Sequence, residues 1–132
     1  MTKTTRLGVI VVLIAIAAGG FLFISGNLNP SETPVPTGQV QEFEMTAKQF
    51  EFNPRRIEVN VGDTVILRIT GLDRGDEGHG FAIIEYGIFR VIPDGVTVPI
   101  HFVASKSGAF TFFCSVQCGV GHSSMRGTLI VN

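Results

Sequence analysis

The sequence has no tryptophan, a single tyrosine and only two cysteines. Two cysteines are too few for a small fold held together by a framework of several disulfides. A basic surplus is also missing: ten Lys and Arg against eleven Asp and Glu leave a formal net charge of −1. That balance carries no electrostatic footprint for nucleic acid. From Leu7 to Ser31, over 25 positions, charge is absent altogether. After residue 40 no stretch has a convincing helical period. These absences exclude a disulfide miniprotein, a nucleic-acid binder and a helical bundle. At 132 residues the chain has room for one domain and little more.

The uncharged run is the first feature with content. Its inner part, L-G-V-I-V-V-L-I-A-I-A-A-G-G-F-L-F-I, is almost wholly apolar. As a helix the run would reach about 37 Å at ~1.5 Å per residue, and the hydrocarbon core of a bilayer needs roughly 20 residues. Lys3 and Arg6 precede it, and no basic residue follows until Lys48. The positive-inside rule then puts the N-terminus in the cytoplasm and the rest of the chain outside. A cleaved signal peptide is the rival. Its apolar region would stop after about 7–15 residues, whereas Phe21 to Ile24 extend this one past the alanines at 15, 17 and 18. The expectation is a single-pass anchor in membrane lipid over residues 1–25, with the remainder exported. Residues 26–39 are rich in Pro, Gly, Asn, Ser and Thr, and read as an extended tether.

The remainder, residues 40–132, reads as β throughout. Ile57, Val59 and Val61 alternate, and Gly62-Asp63 turns the chain. Further period-2 sets follow: Val65, Leu67 and Ile69; Phe81 and Ile83; Val96, Val98, Ile100 and Phe102; Phe110, Phe112 and Cys114; then a closing T-L-I-V. Short alternating runs between Gly, Pro and Asp turns predict a sandwich or small barrel. His101 is out of phase with its apolar neighbours and is expected at the surface. Met45 reads as packing. From position 32 onward eight basic and eleven acidic residues give −3, with Asp73, Asp76, Glu77 and Glu85 forming a mild acidic cluster. Such a cluster suits either a basic partner or an ordinary solvated loop.

The chemistry is concentrated in C-S-V-Q-C-G-V-G-H-S-S-M, residues 114–125. Both cysteines stand there, with His122 and Met125. Three readings compete. A disulfide is the default for a lone exported pair, but it leaves His122, Met125, Gly119 and Gly121 without a purpose. Structural zinc takes Cys and His, and His79 could complete a set of four, but methionine is not a zinc ligand. Copper accommodates soft thiolate and thioether together with imidazole, and a weak axial methionine tunes its potential. A mononuclear site needs one cysteine, so the second matches a two-copper site with both sulfurs bridging. Cys114 ends an alternating strand and His79 opens another in G-H-G-F. The two can meet only if those strands are neighbours at one pole.

H-G-F followed by C-x3-C-G-x-G-H-x2-M resembles the CuA domain of cytochrome c oxidase subunit II. The segment A-K-Q-F-E-F-N-P-x4-V-x-V-G-D-T-V resembles the opening strands of cupredoxins. The likeness covers roughly residues 44–132, and the single anchor is similar to that of ba3-like oxidases. It implies an all-β cupredoxin fold, a Greek-key sandwich or barrel, behind one transmembrane helix. It implies dinuclear copper bridged by Cys114 and Cys118. His79 and His122 would each bind one copper, with Met125 and the backbone carbonyl of Val116 as weak ligands. The implied role is that of the subunit through which electrons enter a haem-copper terminal oxidase. Electrons would come from cytochrome c or a small copper protein and go to haem in subunit I, with no bond chemistry on this chain.

Departures from the family pattern matter. Many members have Glu two residues after the first cysteine, where it binds magnesium; Val116 stands there, so no magnesium is expected. The anchor lacks the acid found at a proton-channel mouth in ba3-like oxidases, and the tryptophan that often receives the electron is absent. H-G-F-A-I-x2-Y-G-I also resembles the CuA domain of nitrous oxide reductase. A stand-alone anchored CuA carrier and a copper-delivery protein therefore remain alternatives.

Overall fold

The computed structural model describes residues 35–132, and the structural statements below concern those residues. The expected anchor, and the tether up to residue 34, lie outside them. Among the described residues no helix is long and apolar enough to cross a membrane.

The alternation rule builds most of the fold. In β1 (Val40–Lys48) Met45 and Ala47 are buried while Glu42 and Glu44 face water. β2 (Glu51–Asn53) returns alongside it. β3 (Arg56–Val59) buries Ile57 and Val59, and β4 (Thr64–Gly71) buries Val65, Leu67 and Ile69. β5 (His79–Ile83), β6 (Ile88–Ile92), β7 (Thr97–Val103), β8 (Gly108–Phe113) and β9 (Arg126–Val131) complete the set. They form two sheets, β2-β1-β4-β7 and β3-β9-β8-β5-β6. The alternative of sandwich or barrel resolves as a sandwich that does not close. β2 and β7 end one sheet and β3 and β6 the other, and between them the only pairing is the isolated bridge Gly71–Asp94. The remaining helical content is three single 3-10 turns, at Gly75–Glu77, Ile84–Tyr86 and His122–Ser124.

Two departures from the sequence reading have physical causes. β6 carries no buried alternation: it is an edge strand that exposes Phe89, Arg90 and Val91 and buries only its ends. β7 is also an edge strand. Of its expected inward set only Ile100 is fully covered, and Val96 just before it is exposed. His101 faces solvent and Met45 lies in the core, as expected. Glu85 sits at the far end of β5 from Asp73, Asp76 and Glu77, so the four acids do not form one cluster.

Below one pole of the sandwich stand three buried rings, Phe52, Phe81 and Phe112, with centroids 5.4–5.5 Å apart. Phe52 meets the other two nearly edge to face, a geometry worth about 0.5–1.5 kcal/mol per pair beyond burial. Phe81 is two residues from His79 and Phe112 two residues from Cys114. A stiff aromatic floor therefore lies on the same strand faces that carry the candidate ligands.

Asp63 ties the segment before β1 to the β3–β4 turn. Its carboxylate accepts from the backbone of Asn60 and Gln39, both at 2.9 Å, and the Gly62 carbonyl accepts from Thr37 and Gly38. The Asn60 and Gln39 N–H groups, with the Gln41 amide, hold the Asp63 carboxyl below the ordinary aspartate value. A depressed carboxyl stabilises the fold above its unfolded-state value, and that contribution disappears as pH falls through the folded-state value. Asp63→Asn should therefore lower the melting temperature at neutral pH. The gap to the native chain should hold from pH 7 down to about pH 5 and narrow as pH falls below about 4 in thermal unfolding. A gap that stays constant with pH would assign the loss to packing instead.

Candidate metal centre

β5 and β8 are antiparallel neighbours with Ala82 opposite Phe113. This register brings the start of β5 beside the chain that leaves β8, the adjacency that His79 and Cys114 require. The backbone N–H of Gly80 points at the Cys114 sulfur, 3.4 Å away. A ring nitrogen of His79 and the sulfurs of Cys114 and Cys118 all lie within 4.8 Å of one another. All three residues are buried, and both cysteines are free thiols.

The rest of the predicted set joins the same cluster. His122 Nδ1 is 3.5 Å from the Cys118 sulfur. The Met125 thioether is 3.7 Å from that sulfur and fully buried. The Val116 carbonyl accepts from the Cys114 thiol at 3.0 Å. All six predicted positions are thus brought together at one pole.

The donor chemistry tests whether a metal fits. His79 Nε2 lies 2.8 Å from the Leu72 carbonyl, which can only accept, so Nε2 carries the proton. Nδ1 is then the lone-pair nitrogen, and it is buried with no partner. An unmet buried acceptor costs about 1–3 kcal/mol, so the fold holds this atom for something. It stands with two soft sulfurs, a third sulfur in Met125 and a second imidazole, which is a donor set suited to copper. Orientation of a ligand histidine through its other nitrogen on a carbonyl is the usual second support of a metal site.

Burial pushes the Cys118 thiol up to about 11; the Cys114 thiol beside it adds to the shift and the Arg74 charge opposes it. That sulfur stays protonated at neutral pH until a metal displaces the proton. Metal uptake should release protons and strengthen as pH rises.

The supporting residues were not legible in the sequence. Gln49, in the β1–β2 turn, donates its side-chain amide to the Cys118 carbonyl. The Phe50 ring packs where a Cβ on Gly121 would come within 2.4 Å. The two glycines of the loop therefore serve different ends. Gly119 has φ +128°, which L side chains rarely adopt. Gly121 has an ordinary φ of −91° and is needed small because of Phe50. Arg74 donates to the Gln117 carbonyl at 3.1 Å. Gln49 and Phe50 stand in the A-K-Q-F-E-F-N-P stretch, but nothing local marks the contact of these two or of Arg74 with the cysteine loop, because each reaches it only through the sandwich.

Residues 12–131 match the cupredoxin-like domain family. The nitrous-oxide reductase of Stutzerimonas stutzeri is 31% identical over 106 residues, which is 80% of this chain but 17% of that enzyme's length. The cytochrome c oxidase subunit 2 of Thermus thermophilus is 29% identical over 104 residues, 78% of this chain and 75% of that subunit. Among solved structures, a chain from a heme-copper terminal oxidase dimer superposes with a TM-score of 0.62 at 21% identity, over 98% of this chain and 100% of that one. This last likeness speaks to the fold alone.

Proposed function

Because this chain belongs to the cupredoxin-like domain family, we propose that the cluster at its pole is a dinuclear CuA centre and that the chain is an electron-transfer subunit. In this reading it is the subunit through which electrons enter a haem-copper terminal oxidase. It takes them from cytochrome c or a small copper protein and hands them to haem in a partner subunit. Residues 1–25 anchor it in the membrane, with the copper domain on the extracytoplasmic side. The observation that carries the reading is the buried, unpartnered Nδ1 of His79 beside two free thiols.

Cys114 and Cys118 would bridge the metal ions, His79 and His122 would each supply a nitrogen, and Met125 and the Val116 carbonyl would lie as weak ligands. When bound, such a centre supplies a one-electron acceptor and donor. The chain's own part is to hold the ligands still. The loop backbone is pinned by Gln49 on Cys118, by Arg74 on Gln117 and by Cys114 N–H on the Met125 carbonyl. The Phe52, Phe81 and Phe112 rings keep water from beneath. A dry, rigid shell keeps reorganisation small when charge moves. Val116 offers no carboxylate for magnesium.

The test is metal content and the EPR spectrum of the whole chain after copper loading. Two coppers per chain with one unpaired electron spread over both nuclei is the expected result. One copper with a single-nucleus pattern would reduce the site to a mononuclear or delivery site. Retention of zinc in preference to copper would make it structural.

A second reading, an anchored CuA carrier serving another reductase, draws on the likeness to nitrous-oxide reductases. The absence of tryptophan and of an acid in residues 7–31 points the same way. Co-purification with a large haem-bearing subunit separates the two: its presence supports the oxidase and its absence the carrier.

A further inference from the structure

We propose that Arg74 is a positioning residue for the metal centre, one guanidinium that locks the two ligand-bearing segments together and sets the charge seen by the sulfurs. The inference rests on the copper reading above, and its test is arranged so that the two can fail separately.

Arg74 caps the 3-10 turn Gly75–Glu77 in the loop that leads into β5. Its Nε donates to the Gly78 carbonyl at 3.3 Å, and its Nη2 to the Gln117 carbonyl at 3.1 Å. Gly78 immediately precedes His79, and Gln117 immediately precedes Cys118. One planar fork therefore grips the backbone next to the buried histidine and next to the more deeply buried cysteine, across 43 residues of chain. A lysine ammonium lacks the rigid fork that serves both carbonyls in fixed geometry.

The charge is placed as deliberately as the fork. Arg74 pairs with Glu77, but the two ends differ in exposure. The arginine side chain is 14% exposed and the glutamate 71%. A carboxylate largely in water is screened and neutralises its partner incompletely. A net positive end remains beside the cysteine loop. Positive charge there stabilises thiolate ligands and favours the oxidation state that carries one more electron.

Three variants of the whole chain test this: Arg74→Gln, Arg74→Lys and Glu77→Gln. Each is measured for midpoint potential and for the rate of copper loss to EDTA. Amide hydrogen exchange over residues 115–119 is measured without metal. Arg74→Gln should lower the potential, speed copper loss by about 10-fold or more, the scale for an outer-shell partner, and speed exchange in the loop. Arg74→Lys should hold the potential near the native value while copper loss and exchange stay fast. Glu77→Gln should raise the potential. Opposite signs for Arg74→Gln and Glu77→Gln cannot arise from general destabilisation. If native protein binds copper and these two variants leave potential, copper loss and loop exchange unchanged, or shift the potential in the same direction, the role assigned to Arg74 is wrong. If native protein binds no copper, the copper reading fails. Faster loop exchange in Arg74→Gln then still supports the backbone lock, and unchanged exchange overturns it.

Discussion

Cys118→Ser should abolish the shared-electron EPR signal and leave the chain with at most one copper. The serine oxygen is a hard donor that stays protonated, so it cannot bridge as a thiolate does. The change removes the sulfur that lies 3.5 Å from His122 Nδ1 and 3.7 Å from the Met125 thioether. The loss in copper affinity should exceed the about 10- to 100-fold that follows removal of an outer-shell partner. Fold and metal loss are separable here. Cys118 is fully buried, and a hydroxyl in its place costs roughly 1–3 kcal/mol in the metal-free protein. Circular dichroism of the metal-free variant should still report the β-sandwich. Copper analysis and EPR on the same sample then decide the matter. Two coppers with an unaltered spectrum in Cys118→Ser would sink the dinuclear assignment.

The parts of this molecule that could be read in the sequence are those set by local repetition. Val65, Leu67 and Ile69 alternate because one face of β4 is covered and the other is not, and a period of two announces that without any knowledge of the partner strand. The twelve-residue ligand stretch was legible for a related reason. Five of the six candidate positions lie within residues 114–125, so their spacing survives in one dimension. β6 was missed because an edge strand has no covered face to impose alternation. The closed form of the β structure was undecidable from sequence, since closure depends on whether terminal strands pair, and strands carry no local mark of that. The contacts of Gln49, Phe50 and Arg74 with the ligand loop were invisible because each reaches it across the fold, from 43 to 69 residues away for the two hydrogen bonds. His79 lay between these extremes. Its H-G-F setting suggested a ligand, and only the β5–β8 register could place it.

Gly80→Ala should cost the metal site far more than it costs the fold. A Cβ at Gly80 would stand 2.3 Å from the Ser115 Oγ and 2.7 Å from the backbone nitrogens of both Ser115 and Val116. The hydroxyl can rotate away and the two backbone atoms cannot. Gly80 is not in the left-handed region, so the penalty comes from contact and not from its dihedral angle. Either the loop lifts or β5 shifts, and both movements part His79 from Cys114. The N–H of Gly80, now 3.4 Å from the Cys114 sulfur, moves with it. Overpacking of this kind costs about 1–3 kcal/mol, out of a total stability near 5–15. The variant should therefore fold, with a melting temperature lower by about 4–8 °C per kcal/mol. Gly87→Ala is the matched control. Gly87 lies at the other end of β5 with φ +62° and nothing within 4 Å of an added Cβ. Alanine there incurs about 1–2 kcal/mol of backbone strain and should leave copper binding intact. Comparable stability loss in the two variants, with copper lost only from Gly80→Ala, would tie the glycine of H-G-F to the passage of the cysteine loop over it. Equal copper loss in both would mean that the centre responds to stability alone, and that the close approach of Ser115 and Val116 to Gly80 has no special part in it.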